Sequence, residues 1–295
     1  MESARVRYGS DRAVLYVMKV AVLGTGYVAS AYLRVLHFLG YHPLVLSRRW
    51  LEYDEADKLK FCLQHYSPAM VINASGFVGN TVDDCQIKKD ECYRANVIVP
   101  RLVADVCEQI NTTLIHIGSG CIFNGPGPFK ETDEPNFLMN FYQQCKYSAD
   151  LDVKSLCKKS FIYRIRMPFN HYRHPRNWLL KIAAYPWILD GLNSVTFLDE
   201  FAMRSLQLAQ KGPPGIYHCA ESTPITTVEV AEMLKEAGIR NLPVLPYSLE
   251  QFLREDHVQR SAAVLDVSKF ESAYGASFGS SASAIRWCID RLKVQ

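Results

Sequence analysis

Tyr142 and Lys146 stand four residues apart, as Tyr-x-x-x-Lys, in a stretch (142–156) whose apolar residues follow a helical period. That spacing puts both side chains on one helix face. An ammonium beside a phenol favours the phenolate and lowers a pKa that is ordinarily about 10. Such a pair is expected to give or take a proton at a carbonyl or alcohol oxygen during hydride transfer. A hydroxyl held at the same oxygen should come from the end of the preceding strand, and the run His116–Phe123 supplies Ser119 there.

Hydride transfer needs a dinucleotide, and the amino-terminal part carries a site for one. Gly24-Thr25-Gly26-Tyr27-Val28-Ala29 fits G-x-G-x-x-[G/A] between a short β-branched run (19–23) and a helical pattern (28–39) that ends at Gly40. The glycines allow a tight turn and close approach to a pyrophosphate, and the helix start offers free N–H groups to it. NAD-binding chains usually place an acid after the second strand, for the ribose 2′-hydroxyl. Here Ser47-Arg48-Arg49 follow the strand 43–46. Arg48 and Arg49 can clamp a 2′-phosphate that a carboxylate would repel, so NADPH (as NADP when oxidised) is the expected cofactor. After the third strand (69–72), the small residues Ala74, Ser75 and Gly76 would let the backbone pass beside it.

These groups require an α/β scaffold. Strands at 19–23, 43–46, 69–72, 113–117 and 161–165 alternate with helical patterns at 28–39, 54–66, 87–109 and 142–156. That rhythm predicts a Rossmann-like, doubly wound parallel sheet over residues 18–166. Residues 167–295 are expected to form mainly a smaller substrate-binding lobe over the carboxyl ends of the strands, with segments near 196–219 returning to the first domain. Helices are expected there at 226–237, 248–255 and 280–292. Residues 1–17 form an extension ahead of Met18. His116 and Cys145 are expected in packing roles, His171 and His174 in a loop, and Asp199 at a structural turn.

Composition narrows the function classes. A net charge of +3 is too mild for a nucleic-acid binder. The nine cysteines form no CxxC pair, which points to reduced thiols in the cytoplasm and away from disulfides or zinc. No apolar run approaches 18 residues, so no membrane span is expected.

The layout resembles that of the extended short-chain dehydrogenase/reductases. Gly118–Phe123, GSGCIF, resembles the segment carrying the catalytic Ser/Thr in dTDP-4-dehydrorhamnose reductase and GDP-fucose synthase. VINASG, RANVIVPRLVADVC, FKETDEPNF, FYQQCK, YRIRMPFN, HPRNWLLKI, VTFLDE and RSAAVLD extend the likeness almost continuously from residue 70 to 268, and it is nearest to the bifunctional 3,5-epimerase/4-reductases of UDP-rhamnose synthesis. The resemblance implies a UDP-linked 4-keto sugar as substrate. It implies that Ser119, Tyr142 and Lys146 are the reductase triad, and that Cys121 and Lys181 are the acid/base groups of epimerisation. It also implies Met167 and Pro168 beside the nicotinamide, contacts from Asn177 and Arg260 to the sugar nucleotide with Arg260 near the diphosphate, and a homodimer formed through helices 87–109 and 142–158. A 4-keto group acidifies the C–H bonds at C3 and C5, so one base and one acid on opposite ring faces suffice for inversion. The family's G-x-x-G-x-x-G departs here to the tighter GTGYVA, which bears on the phosphate contacts. Two alternatives stay open: a 4-keto reductase without epimerase function, and a non-catalytic NADP-binding regulatory subunit such as the β subunit of methionine adenosyltransferase.

Overall fold

A computed structural model describes residues 18–47, 55–79, 81–248, 250, 252 and 260–294. The first strand, β1 (Val20–Leu23), is an unbroken apolar run and is buried throughout. Such runs belong in sheets covered on both faces. It pairs in parallel with β2 (Leu44–Leu46) on one side and β3 (Met70–Asn73) on the other. Parallel pairing continues from β3 to β4 (Thr113–Ser119), then past the short strand β5 (Gly125–Phe129) to β6 (Ser160–Ile165). The two-residue β7 (Pro168–Phe169), β8 (Ile188–Asp190), β9 (Leu192–Asn193) and β10 (Thr196–Phe197) lie outside this sheet. β11 (Gly215–Cys219) rejoins it beside β6. The order β2-β1-β3-β4-β6-β11 reverses direction between β1 and β3. Ligands bind outside the carboxyl ends of the strands at such a switch point.

Helices cover both faces. On one, α1 (Tyr27–Phe38) packs on Leu198–Lys211, with Tyr32, Leu36, Phe201 and Phe270 in the core. On the other, α2 (Ala56–Tyr66), Val99–Gln109 and Phe141–Leu156 bury Leu59, Leu63, Val103 and Val153 against the sheet. Burying each such side chain contributes about 1.5–3 kcal/mol. A separate core in the carboxyl-terminal lobe joins Trp178, Leu179, Val230, Ile285 and Ile289.

The long helix expected at 87–109 is instead a series of pieces: α3 (Asp84–Ile87), α4 (Lys89–Tyr93), a π-helical turn (Arg94–Ile98) and α5 (Val99–Gln109). Pro100 has no N–H for the carbonyl of Asn96, four residues back. The wider turn absorbs that mismatch, and Val99 N–H reaches the Arg94 carbonyl. It also buries the Asn96 side chain, which donates to the Phe77 carbonyl (2.6 Å) and accepts from its N–H (3.1 Å). The loop after β3 is thereby fixed. Most of the helix expected at 248–255, and the extension 1–17, lie outside the described residues.

Candidate active site

The β1–α1 turn has the backbone that a phosphate loop needs. Gly24 adopts φ +99°, and a side chain there would meet the Ala74 carbonyl and Ser75 N–H at 3.0 Å. Only glycine lets the two loops at the switch point touch. A Cβ on Gly26 would meet nothing within 4 Å, so the backbone lies open beside the start of α1. That helix start has no side-chain cap and no acid in its first turn. Free N–H groups and a positive dipole end suit a pyrophosphate. Thr25 is exposed and Val28 half-buried, whereas Tyr27 is buried with its ring stacked 4.7 Å from His174. Ser75 donates to Asn73 Oδ1 (2.5 Å), and Gly76 lies against Asn96. Arg48 and Arg49 fall outside the described residues.

At the carboxyl end of β4 the three expected groups come together. Ser119 caps a short 3₁₀ turn (Gly120–Ile122), accepting the Cys121 N–H at 3.3 Å, and its hydroxyl donates to Cys121 Sγ at 3.0 Å. Ser119 lies near enough to the Tyr142 phenol to pull its pKa down. It opens α6 (Phe141–Leu156), whose start is built by a capping box of Asn140 and Gln143. Gln143 Nε2 donates to the Cys121 carbonyl (3.0 Å), tying this helix to the Ser119–Cys121 turn. One turn on, Lys146 is buried and its Nζ donates to the Ile117 carbonyl at 2.6 Å.

The electrostatics correct one expectation. Burial, reinforced by the neighbouring Cys121 and Cys85, raises the Tyr142 phenol, and Ser119 only partly opposes this. Tyr142 is therefore a neutral acid, the form that donates a proton in a reduction. Sequence reasoning counted the ammonium nearby but not the desolvation. Burial also lowers the Lys146 amine, with Asp150 working against it. The Cys121 thiol is pushed up by burial and pulled back by Ser119, Arg166 and Lys146.

The expected basic group of the carboxyl-terminal lobe lies near two arginines. Lys181 lies on α7 (Trp178–Ala184), half-buried, and its amine is lowered by desolvation and by Arg176 and Arg260. One nitrogen of Arg260 bonds both carboxylate oxygens of Asp83 (2.8 and 2.9 Å). Met167, just after β6, holds φ +41°, a strained value for a side chain of its size, and leads into Pro168 in β7. Asn177 departs from its expected role as a substrate contact. It is fully buried, its Oδ1 caps Leu179 N–H (3.2 Å), and its Nδ2 donates to the carbonyls of Asn170 (2.7 Å) and Tyr172 (2.9 Å). Those bonds make it a bracket for the loop before α7. His171 and His174 lie in the loop between β7 and α7, as expected: His171 Nδ1 lies 3.6 Å from Asp199, which also pairs with Arg34 (2.6 Å), and His174 Nδ1 accepts from Arg176 N–H.

Sequence reading passed over Arg166, Gln143, Asp150 and Arg176. Arg166 is buried and bonds the Gly120 carbonyl (3.0 Å), Asn193 Oδ1 (2.5 Å) and both the side chain and carbonyl of Ser261 (3.0 Å each). An arginine placed where a strand ends was the only local signal.

A parallel sheet with its glycine turn and Ser/Tyr/Lys group at one edge defines the extended short-chain dehydrogenase/reductases. Within that class the chain belongs to the RmlD family: its residues 18–294 match the RmlD substrate binding domain. A bifunctional dTDP-4-dehydrorhamnose 3,5-epimerase/dTDP-4-dehydrorhamnose reductase of Arabidopsis thaliana is 31% identical over 222 residues, covering 72% of this chain and 73% of the relative. A trifunctional UDP-glucose 4,6-dehydratase/UDP-4-keto-6-deoxy-D-glucose 3,5-epimerase/UDP-4-keto-L-rhamnose-reductase of the same plant is 30% identical over 222 residues, 33% of its length. Among solved structures, the L780 UDP-rhamnose synthase of Acanthamoeba polyphaga mimivirus superposes with a TM-score of 0.83 at 24% identity, covering 93% of this chain and 99% of that one. A dTDP-4-dehydrorhamnose reductase of Bacillus anthracis, in complex with NADP, gives 0.81 at 19% identity over 94% and 99%. Family membership places the chain among reductases. No helix among the described residues is long and apolar enough to cross a membrane.

Proposed function

We propose that the chain is an NADPH-dependent 3,5-epimerase/4-reductase that converts UDP-4-keto-6-deoxy-D-glucose to UDP-β-L-rhamnose. The observation that carries this reading is the contact between Ser119 and Cys121 (3.0 Å), which sets a thiol beside the reductase hydroxyls. A dedicated reductase has no use for a thiol there. The β1–α1 turn, the Ala74–Gly76 loop and Lys146 would hold the cofactor, with Arg48 and Arg49 reading its 2′-phosphate. When bound, NADPH supplies the hydride.

Ser119 and Tyr142 hold the sugar's C4 oxygen and stabilise it as an enolate when a flanking proton leaves. Cys121, as thiolate, removes the proton from C3 or C5. Lys181, its amine lowered by burial and two arginines, returns a proton from the facing lobe. Tyr142 then protonates O4 as C4 is reduced. Arg260 and Arg176, which lie near Lys181, favour the diphosphate.

Turnover of UDP-4-keto-6-deoxyglucose with NADPH in D₂O, with the product followed by NMR, tests this. The wild-type protein should yield the L-sugar with deuterium at C3 and C5. Cys121→Ala should slow exchange by about 10²–10⁴-fold, the usual weight of a general base. Reduction without exchange in the wild type would leave a reductase alone. Absence of NADPH oxidation would remove the enzymatic reading. Tighter binding of NADH than NADPH would refute the role given to Arg48 and Arg49.

A further inference from the structure

Arg260 stands ahead of the strand Ala263–Leu265, and its neighbour is tied to the site. Arg166 bonds both the side chain and the carbonyl of Ser261 (3.0 Å each), and the same guanidinium holds the Gly120 carbonyl beside Cys121 (3.0 Å). Asp83 comes from a different part of the chain, at the start of α3 after the loop that follows β3. Arg260 Nη2 donates to both oxygens of its carboxylate (2.8 and 2.9 Å). The pair thus bridges two segments 177 residues apart at the carboxyl ends of the strands, where ligands bind in such sheets.

The contact is built for exchange. It uses one guanidinium nitrogen, in place of the two-nitrogen fork that gives an arginine–carboxylate pair its full strength. The side chains are 29% and 41% exposed, so a solute can reach both partners and water screens their attraction. The buried pair of Arg164 and Asp150 offers no such access. The carboxylate also has a partner on its own loop. Thr81 Oγ1 donates to Asp83 Oδ2 (2.9 Å) and accepts the Asp83 N–H (3.2 Å), so Asp83 keeps a hydrogen bond if Arg260 leaves it. Arg260 and Arg176 both act on Lys181, so these cations share one region, and an acid among them offsets their repulsion before substrate binds.

We propose that Asp83 is a displaceable counter-ion for Arg260: its carboxylate holds the guanidinium until the diphosphate of a nucleotide sugar takes the same donors. The inference rests on the reading that Arg260 faces the diphosphate. A carboxylate offers one charge and two oxygens, whereas each phosphate of a diphosphate brings its own charge and acceptors, so the diphosphate wins the exchange. The Asp83 carboxylate then turns to water, still bonded by Thr81. A ligand without an anion, such as uridine, offers Arg260 nothing and leaves the pair intact.

Titration calorimetry of UDP into the full chain, with NADP present, tests this for wild type, Asp83→Asn, Arg260→Gln and the double variant. Asp83→Asn keeps the shape and an acceptor for Thr81 but releases Arg260. It should tighten UDP about fivefold, the upper end for an exposed ion pair. Arg260→Gln should weaken UDP about tenfold or more, the loss of a hydrogen bond between charged groups. In the Arg260→Gln background, Asp83→Asn should change the affinity by less than about twofold, because no guanidinium is left to release. Uridine should bind wild type and Asp83→Asn equally. Weaker UDP binding in Asp83→Asn would make Asp83 a support that aims Arg260, and would overturn the proposal, as would an unchanged affinity. A gain that persists without Arg260 would mean simple repulsion between Asp83 and the phosphates, and overturns it too. Wild-type UDP affinity in Arg260→Gln would instead remove the diphosphate reading of Arg260, and the exchange with it. NADP affinity on the same samples reports whether each variant is folded, and Asp83→Ser serves if the asparagine variant is not.

Discussion

Asp150→Asn should damage the protein in two separable ways. Asp150 lies four residues beyond Lys146 on the same helix and pairs with Arg164 at 2.7 Å, with side chains only 1% and 2% exposed. Asp150 Oδ1 and Arg164 Nη1 are also buried without a hydrogen-bond partner. Removing the carboxylate would strand a guanidinium in the interior, which costs about 3–5 kcal/mol. An unfolding entropy of about 2.1 cal/mol/K per residue makes that a fall in Tm of roughly 5–8 °C for this chain. The second effect is catalytic. Asp150 is the largest influence holding the Lys146 amine up against burial. Without it the amine falls further and loses its proton at lower pH. Cofactor-bound reduction should then lose its alkaline limb earlier. The double variant Asp150→Asn/Arg164→Met removes the stranded charge and should recover most of the Tm. It should not recover the pH profile. Differential scanning calorimetry and kcat against pH measure the two effects. A double variant with a wild-type alkaline limb would refute the claim that Asp150 sets the charge of Lys146.

Two further outcomes follow from the buried bases. Burial pushes His218 down to about 3 and His116 well below its ordinary range. A histidine held neutral contributes stability that is complete above its unfolded pKa of about 6.5 and is lost as pH falls below it, at about 1.4 kcal/mol per pH unit for each. Unfolding free energy measured between pH 6.5 and 5 should show that slope, and His218→Gln should roughly halve it. Lys181→Met should slow solvent exchange at C3 and C5 by about 10²–10⁴-fold while leaving reduction of the already epimerised sugar within a fewfold, measured by NMR and NADPH loss.

What could be read from the chain alone was local. Gly24 declares its own backbone, since φ +99° admits little else, and Tyr-x-x-x-Lys declares a shared helix face. The alternating runs gave the sheet because buried parallel strands are apolar throughout, as Val20–Leu23 is. What escaped was long-range or set by burial. Arg260 and Asp83 are 177 residues apart, and Arg166 reaches Ser261 across 95. Nothing near either position announces its partner. Asn177 reads as a ligand contact until its three backbone bonds are seen. Tyr142 was given the wrong direction because a neighbouring charge is visible in a sequence and desolvation is not.

Under the proposed epimerisation, Cys121 and Lys181 would act on opposite faces of a ring, and Arg166 bears on how the segment around Cys121 is held. Cys121 belongs to the sheet, at the end of β4, and Lys181 belongs to the smaller lobe, on α7. Inversion at C3 or C5 works only if the gap between those two elements is held to within a fraction of an ångström, because proton transfer falls off steeply with distance. Arg166 leaves the sheet at the end of β6 and binds the Gly120 carbonyl next to Cys121, Asn193 in the smaller lobe, and Ser261 next to Arg260. Burial lowers this guanidinium to about 10, so it stays charged at neutral pH and keeps its bonds strong in a dry interior. A neutral side chain of similar length would satisfy fewer of those acceptors and leave the others unpaired. The segments next to Cys121 and Arg260 are thus held from one buried charge, while Tyr142 is held separately, by Gln143 and the capping box of α6.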